Sequence, residues 1–351
     1  MTRISARDLA GTTGPFGRGV VVVRPESIPE GSVVSVLRVP PEAAGMRLDR
    51  FVQSQLKRTS RTRAQMIVER GAYSPEARRL RGNDRVRPEQ HILLWREPWD
   101  EQAPDVDIPI LYEDDQLLAV DKPPGIPVHP TARYHMSTVV KLLEVARGGE
   151  RLRLSHRIDR ETSGVLLLAR TALADRLVKV QFEARESVTK RYLAITWGWP
   201  DEDTFRVDLP LELDPDSKYK VKMRIAAPGR GMHAGTAFEV LGRRTSLAGR
   251  RYALVRCTLE TGRQHQIRLH LKALELPLVG DKLYGPDDAL FARGADHELT
   301  EADRAVLELD RHALHAAELE LDHPTETGRR VVVRSPLPAD LAAFWDGLSP
   351  A

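Results

Sequence analysis

The spacing of apolar positions separates a helical N-terminal part of the chain from a strand-rich remainder. Apolar side chains recur every three or four positions over residues 48–56 and 64–68, which predicts two helices joined by a basic turn with a Ser or Thr cap. Helices are also predicted over 137–146, 171–184 and 263–273. Strands are predicted over 20–23, 33–39, 110–120 (a pair around residues 113–115), 164–170, 192–196, 219–225, 236–241, 252–259 and 316–321.

This order of elements predicts the fold class. Many strands with few helices between them indicate an α+β fold with a mixed, mostly antiparallel sheet rather than a doubly wound one. Pro98, Pro104 and Pro109 lie among acidic residues and disfavour helix and central strand, so the linker is placed there. The predicted organisation is a partly irregular extension at 1–46, a small α/β domain at 47–97, a linker at 98–109 and a larger domain at 110–351.

The distribution of charge changes the picture more than its total. The chain of 351 residues has a net charge of only +3, but residues 47–97 carry 13 Lys and Arg against 6 Asp and Glu. That segment has a net charge of +7, which leaves −4 for the rest. The excess predicts either a basic surface that meets an anionic partner or a solvated helix face balanced elsewhere in the fold.

Composition also indicates where the protein is located and which cysteine-based sites it can form. The single cysteine, Cys257, excludes an internal disulfide and a cysteine-based zinc cluster, and its strand-like surroundings predict a buried, inert thiol. The N-terminal residues lack a signal-peptide pattern, and no apolar run approaches the length of a membrane span. A cytoplasmic location without membrane contact is therefore expected.

The most informative stretch is residues 155–164 (SHRIDRETSG). Asp159 stands between Arg157 and Arg160, where positive charge favours the ionised carboxylate that a nucleophile needs. The apolar run that follows predicts a buried strand able to hold this group rigidly. Considered alone, the same residues are also typical of an ordinary turn before a strand.

Further motifs favour the functional interpretation. In order along the chain they are residues 120–130 (VDKPPGIPVHP), 189–194 (TKRYLA), 260–270 (ETGRQHQIRLH), 280–285 (GDKLYG), 314–316 (LHA) and 323–324 (HP). With residues 155–164, this ordered set resembles the RluA-type RNA pseudouridine synthases over roughly residues 106–347. The resemblance implies an isomerase that converts uridine in RNA to pseudouridine, with the α+β catalytic fold of that family.

The resemblance also implies roles for individual residues. Asp159 is the essential carboxylate, whether it attacks the sugar, attacks the base or removes a sugar proton. Tyr192 either stacks on the uracil and relays a proton or fills the core. Arg268 either orients Asp159 through a two-pronged ion pair or lies on the surface of an amphipathic helix, with Arg263 as a rival for its role.

Other motif residues are expected to contact substrate. Arg157 either fills the space left by a flipped uridine or contacts phosphate. Lys122 and His129 are expected to shape the pocket wall or touch the RNA backbone, while Thr162, Ser163, Asp281 and Tyr284 support the loops. The full expected substrate-binding set is Arg157, Arg160, Lys122, His129, Arg263 and Gln266.

The basic segment resembles the S4 RNA-binding domain. Residues 47–51 (RLDRF) and the pattern from Ser60-Arg61 through Ile67 to Gly71 carry the likeness, but residues 72–76 (AYSPE) replace the expected Val-Asn-Gly turn. The domain is therefore degenerate in its second half. The expected RNA-binding residues are Lys57, Arg58, Arg61 and Arg63.

Cofactors and partners complete the prediction. No metal ligands are assigned, since the eleven histidines show no complete ligand pattern, and no cofactor is expected. The expected partner is RNA, with ribosomal RNA favoured over tRNA, acted on by a monomer without an obligate protein partner. A catalytically inactive RNA-binding or ribosome-assembly protein is the alternative. A glycoside hydrolase is disfavoured because Asp159 and Glu161 lie too close together in one turn.

Overall fold

The computed structural model describes residues 3–4, 22–29, 32–56, 59–96, 106–130, 137–184, 186–295 and 298–351. The chain forms two compact units, Met1–Glu101 and Gln102–Ala351. The Gly-rich residues 11–17 and most of the predicted linker, residues 98–105, lie outside the described residues. Within the described ranges, no helix has both the length and the apolar character needed to cross a membrane.

The first unit is a small sheet covered by two helices. Its elements are β1 (Arg3–Ile4), β2 (Val22–Val23), β3 (Val33–Arg38), a 3-10 turn (Pro41–Ala43), α1 (Leu48–Gln55), α2 (Arg61–Gly71), β4 (Ala72–Tyr73) and β5 (His91–Arg96). The antiparallel order is β3-β5-β4, and β1 pairs with β2. Residues 72–76, where the sequence pattern breaks, form β4 and the start of a turn closed by Ser74 and Arg78.

Packing in this unit follows the apolar spacing. Phe51 and Val52 of α1 and Val68 of α2 are fully buried in one cluster with Ile92 of β5. Gly71 ends α2 against the strand: a Cβ there would lie 1.9 Å from the carbonyl oxygen of Trp95. The predicted cap is Ser60, whose hydroxyl accepts a hydrogen bond from the Arg63 backbone N–H.

The second unit is built on one long sheet. Its strands are β6 (Ile110–Glu113), β7 (Leu117–Lys122), β8 (Arg153–Leu154), β9 (Ser163–Ala169), β10 (Thr189–Trp197), β11 (Thr204–Asp208), β12 (Leu211–Leu213), β13 (Met223–Ile225), β14 (Gly235–Thr245), β15 (Arg251–Leu259), β16 (Leu314–Asp322), β17 (Arg330–Arg334) and β18 (Ser349–Pro350). Its helices are α3 (Val139–Ala146), α4 (Ala172–Ala184), α5 (Gln266–Ala273), α6 (Ala289–Ala295), α7 (Glu301–Leu307) and α8 (Ala339–Asp346).

The sheet order is β11-β14-β15-β10-β16-β9-β7-β6, with β17 on β16, β18 on β14 and β8 on β9. Among the described strands, only β9 and β16 pair in parallel. All seven residues of β9 are buried, because its alternate side chains pack beneath α4 on one face and α3 on the other. Helices α5 and α8 cover other parts of the sheet, including β10 and β15.

The structure confirms the predicted α+β class and corrects several element predictions. Only Met223–Ile225 of the predicted strand 219–225 is extended, since residues 219 and 222 close a turn. The helix predicted from residue 263 begins at Gln266. Several short elements lacked a usable periodic signal: β11, β12, β17, α6, α7 and α8.

Candidate active site

A pocket of about 150 Å³ opens beside Asp159. It draws residues from the loop before β9, from β10 and β15, and from the loop that leads into α5. Its lining residues are Arg157, Ile158, Asp159, Thr162, Tyr192, Leu259, Gly262–Arg268 and Leu314. Three predicted catalytic residues, Asp159, Tyr192 and Arg268, therefore meet in one cavity.

The turn that carries Asp159 is fixed by the strand pair behind it. The Thr162 backbone N–H donates to the Asp159 carbonyl at 3.1 Å, and the Thr162 hydroxyl lies 2.8 Å from Nε2 of His312. Gly164 then enters β9 at φ +105°, where a Cβ would lie 2.2 Å from the Ala316 carbonyl oxygen of β16. Only glycine suits both that conformation and that close approach. Thr162 and Gly164 are thus required by the close parallel pairing of β9 with β16 and by the bond to His312.

Lys122 holds this turn through contacts within the protein. Its side chain is fully buried, and its Nζ donates to the carbonyls of Pro123, Ile126 and Arg160 at 2.7–3.0 Å. These three acceptors use every ammonium proton. Burial lowers its pKa to about 7. Lys122 therefore joins the residue 123–126 loop to the Asp159 turn, and its expected contact with the RNA backbone stays a prediction.

Arg268 contacts Asp159, but by a different geometry from the one expected. Its Nη1 donates to Oδ2 of Asp159 at 3.2 Å. The two-pronged pair is made with Asp281 instead, through Nε at 2.7 Å and Nη2 at 2.8 Å. Asp281 also accepts the backbone N–H groups of Leu283 and Tyr284, both at 2.9 Å. The guanidinium is thereby held rigidly, with one edge left for Asp159.

The electrostatics of this group keep Asp159 charged. Burial alone would raise the pKa of Asp159. The charges of His265 and His312, which are present only in acid because burial lowers their own pKa values to about 4 and about 3, act with the charge and hydrogen bond of Arg268 to lower it to about 2. Burial likewise opposes ionisation of Asp281, and Arg268 overcomes it and lowers that pKa further. The local field comes mainly from α5 rather than from the flanking Arg157 and Arg160 that the sequence suggested.

Tyr192 lies between two apolar clusters, one under α3 and one under α5. Burial and the negative charge of Asp159 both raise the pKa of its phenol, so it remains protonated at neutral pH. Its ring lines the pocket with Asp159 and Arg157. The two alternatives given by the sequence, packing and facing the substrate, are thus compatible in one side chain.

Gln266 lines the pocket, but its amide is fully engaged within the protein. Its Nε2 donates to the Gly235 carbonyl and the Thr236 hydroxyl, and its Oε1 accepts from Thr261 and from the Arg263 backbone. These bonds give Gln266 a structural role, and its contact with substrate stays a prediction. Arg263 lines the same pocket and donates from Nε to the His233 carbonyl at 3.1 Å, and not to Asp159.

A wider cleft of about 790 Å³ adjoins this pocket and shares Arg157, Asp159 and Arg268 with it. Arg157 is exposed where the two cavities meet, and Arg160 lines the cleft, 3.6 Å from Glu161. Further basic residues of the cleft are Lys218, Lys220 and Lys282. His129 is partly buried, and burial and the Arg157 charge lower its pKa.

Two groups near Asp159 were missed by sequence reasoning. His265 lies at φ +58° directly before α5, with its Nε2 3.8 Å from Oδ2 of Asp159. Glu161 accepts from Lys282 Nζ at 2.9 Å and from the His312 backbone at 3.3 Å. Both residues lie inside motifs that the sequence analysis had identified. Apolar periodicity, however, does not reveal a left-handed backbone conformation or a contact between residues more than 100 positions apart.

The predicted RNA-binding residues of the first unit are only partly described. Arg61 and Arg63 are exposed on the first turn of α2. Arg61 also lines a shallow pocket of about 450 Å³ together with Arg47, Arg50 and Arg85. Lys57 and Arg58 lie outside the described residues.

One cluster in the described part of the chain has metal-ligand character: Asp114, His323 and Glu326. Arg329 already places a guanidinium there, 2.6 Å from Glu326 and 3.8 Å from Asp114. His323 Nε2 also lies 3.0 Å from Asp114. The cluster is therefore accounted for as an ion-pair network, and none of these residues lines the Asp159 pocket.

Comparison with known proteins gives consistent results. A family described as RNA pseudouridylate synthase matches residues 116–273. An uncharacterized RNA pseudouridine synthase of Bacillus subtilis is 32% identical over 317 residues, covering 88% of this chain and 95% of the relative. Ribosomal large subunit pseudouridine synthase D of Nitrosomonas europaea is 34% identical, covering 89% and 87% respectively. The structure of human RNA pseudouridylate synthase domain containing 1 matches with a TM-score of 0.56 and 26% identity, covering 72% of this chain and 91% of that one.

Proposed function

The chain belongs to the RNA pseudouridine synthase family, and from that premise we propose that it modifies ribosomal RNA and that Asp159 is its essential carboxylate. The observation that carries the second part is the contact of Asp159 with Arg268, which keeps the carboxylate charged beside Tyr192 in the pocket. The names of relatives from Nitrosomonas europaea and Xanthomonas campestris, both ribosomal large subunit pseudouridine synthases, support the first part.

The reaction defines what the pocket must do. The N1–C1′ bond of a uridine breaks, the base turns, and a C5–C1′ bond forms. The proton on C5 leaves, and N1 gains one, so no net redox change occurs. A charged carboxylate at the sugar or base serves as the nucleophile or as the base that removes a sugar proton. The pocket must also retain the freed uracil while it turns.

Each predicted catalytic side chain has a role in this scheme. Arg268, fixed by Asp281, keeps Asp159 ionised and limits its rotation. Tyr192, protonated at neutral pH, stacks on the uracil and can pass a proton to or from it. Arg157, exposed where the pocket meets the cleft, fills the space that the target uridine leaves in the RNA or contacts a neighbouring phosphate.

The neighbouring cleft is proposed as the path of the RNA strand beside the target nucleotide. Its basic side chains suit phosphate, and the edge-to-face pair of Tyr219 and Phe291 gives it an apolar floor. Lys218 and Lys220 are exposed on this wall. Arg61 and Arg63 of the first unit, with Lys57 and Arg58, are proposed to supply further phosphate contacts.

Tritium release from RNA labelled at uridine C5 tests the proposal directly, because only isomerisation frees that label. Wild-type protein should release tritium from ribosomal RNA, and an Asp159→Asn variant should not. Pseudouridine mapping in ribosomal RNA and tRNA, from cells with and without the protein, identifies the substrate. Loss of a pseudouridine from tRNA alone would replace the ribosomal proposal with a tRNA one.

The cleft has its own test. A Lys218→Ala, Lys220→Ala variant should raise the apparent KM for RNA and flatten its dependence on salt, by about 0.7 to 0.9 log units of slope per lost contact. The matched control removes two exposed charges from α4, which lines neither cavity: Arg176→Ala with Lys179→Ala. Equal effects from the two pairs would mean that the cleft has no special role.

A further inference from the structure

His265 is the residue of the Asp159 pocket with the least ordinary backbone. His265 directly precedes α5, and its φ of +58° lies in the left-handed region that residues other than glycine rarely adopt. Residues in this region persist only where the surrounding structure holds them, and they concentrate at functional sites. The conformation directs the imidazole between Asp159 on one side and Tyr284 on the other, 3.8 Å and 2.7 Å away respectively.

The hydrogen bonds of Tyr284 decide where the imidazole proton lies. The Tyr284 hydroxyl oxygen accepts the Met223 backbone N–H at 2.9 Å and lies 2.7 Å from Nδ1 of His265. Among the described residues these are its two hydrogen-bond partners, so its own proton is directed to Nδ1. A neutral imidazole that accepts at Nδ1 carries its proton on Nε2. That N–H therefore faces Oδ2 of Asp159.

The charge state of the ring supports this tautomer. Burial lowers the pKa of His265 to about 4, although the nearby Asp159 opposes the shift, so the ring is neutral at neutral pH. Burial also raises the pKa of Tyr284, which keeps its hydroxyl proton available to donate. The reverse tautomer would set a nitrogen lone pair against the charged carboxylate and leave the Tyr284 proton without an acceptor in the described part of the chain.

Arg268 and His265 act on the same oxygen. Both the 3.2 Å contact of Nη1 and the 3.8 Å approach of Nε2 are to Oδ2, and Oδ1 has no hydrogen-bond partner among the described residues. The distance from Nε2 is long for a hydrogen bond, but such contacts commonly tighten when substrate closes a site. The arrangement restricts rotation of the carboxylate and leaves one defined oxygen for the reaction.

We propose that neutral His265, with its proton on Nε2 and its Nδ1 held by Tyr284, is a positioning residue that fixes Oδ2 of Asp159 so that Oδ1 performs the chemistry. The inference rests on the proposed role of Asp159. It extends that role by naming the reactive oxygen and the group that selects it. His265 acts through Asp159 and takes no proton from the substrate.

The direct test is the tautomer itself, read from imidazole nitrogen shifts in protein labelled with ¹⁵N-histidine. The His265 signals, assigned by their loss in a His265→Asn variant, should show a protonated Nε2 and an unprotonated Nδ1. This state should not change between pH 8 and pH 5. The charged and titratable groups that face Asp159 or His265 are Arg157, Arg268, Asp281, Tyr192, Tyr284, His312, Glu161 and Lys122. Of these, Lys122 has a pKa lowered to about 7 and gains its charge within this range, so the ring signals are compared above and below that pH.

Variants then connect the tautomer to catalysis. Asn readily adopts the left-handed backbone but is too short to bridge Tyr284 and Asp159, so His265→Asn should lower kcat about 100-fold, the cost of a misplaced reacting group. KM should change little, since RNA contacts are intact. His265→Gln restores a donor near the position of Nε2 and should recover part of kcat. Tyr284→Phe should mix the two tautomers and lower kcat less.

Glu275→Asn is the matched control, because Glu275 has φ +60° just after α5 and is exposed outside the pocket. Its kcat should equal that of the wild type. A dominant Nδ1-protonated form, or equal kcat for wild type and His265→Asn, would overturn the proposal. Undiminished turnover by Asp159→Asn would instead overturn the proposed function, while the tautomer measurement would still report the ring's hydrogen bonds.

Discussion

The charged residues proposed to bind RNA in the first unit differ in burial from those around the pocket of the second. In the first unit, Arg61 and Arg63 are exposed on α2. In the second, the buried Arg268 and Asp281 form a chain of contacts with the partly exposed Asp159, in which each charge depends on the next. Exposed charges are screened by salt and tolerate substitution. Buried charges shift the pKa values of their neighbours, and removing one partner destabilises the protein. Affinity and chemistry should therefore respond to different perturbations.

The sharpest test of this separation is Asp159→Asn. It removes the only carboxylate that lines the pocket within the described residues, and turnover should fall by at least about 10⁴-fold, as when a catalytic nucleophile is lost. RNA affinity should stay within a few fold because the exposed cations are untouched. Filter binding and tritium release on one preparation measure both quantities. Normal turnover would remove Asp159 from its proposed role.

Asp281→Asn should have the next largest effect, although Asp281 does not line the pocket. It takes away the two-pronged partner of Arg268, so the guanidinium can turn from Asp159, and kcat should drop about 100-fold. Breaking a buried ion pair also costs about 3–5 kcal/mol of unfolding free energy. Urea unfolding and single-turnover kinetics provide the two readouts. A variant as stable as wild type would show that the pair is less buried than its geometry indicates.

Acid should remove the contribution of Asp159 and Asp281 to the stability of the fold. The folded-state pKa values of Asp159 and Asp281 lie below the ordinary value of about 3.9, so their stabilising contribution is complete above that pH and is lost as pH falls through the folded values. Stability due to them should be level from pH 8 to pH 5 and decline below about pH 4. Urea midpoints across this range should show a smaller acid decline in Asp281→Asn than in wild type.

A smaller effect is expected from the first unit. Arg61→Ala with Arg63→Ala should weaken RNA binding several fold and flatten the log–log salt slope by about 1.4 to 1.8, if both contact phosphate. The kcat on saturating RNA should not change, because neither residue lines the Asp159 pocket. Arg176→Ala with Lys179→Ala again serves as the equal-charge control. An unchanged slope would identify the basic excess as an ordinary solvated face.

The smallest effect expected is that of chelation. No ligand set is assigned to a metal at the pocket, and the Asp114 cluster already holds the guanidinium of Arg329. Turnover should therefore survive EDTA and exhaustive dialysis, with folding of the RNA checked separately. Activity that disappears and returns with zinc or magnesium, on RNA that stays folded, would contradict this expectation.

The sequence predicted the fold class and the meeting of three residues, but not how they meet. Strand β9 was readable because both of its faces are buried, and its apolar run is continuous. The sequence could not show which carboxylate makes the two-pronged pair with Arg268, because Asp159 and Asp281 both lie within motifs. Only the structure shows one hydrogen bond to Asp159 and two to Asp281. Lys122 and Gln266 were expected to contact substrate because they lie in the matched motifs. Their sequence positions did not reveal that both also hydrogen-bond buried backbone groups.

The parallel pairing of β9 with β16 has a consequence for how the enzyme is made. Ser163 pairs with His315, and Thr162 bonds His312, so the turn under Asp159 depends on chain synthesised about 150 residues later. Contacts of such high sequence separation form late, because a long loop must close before they stabilise anything. A nascent chain still on the ribosome would therefore hold an unformed reaction centre until residue 316 had emerged. The reaction centre can therefore form only after residues 312–316 have docked against the Asp159 turn.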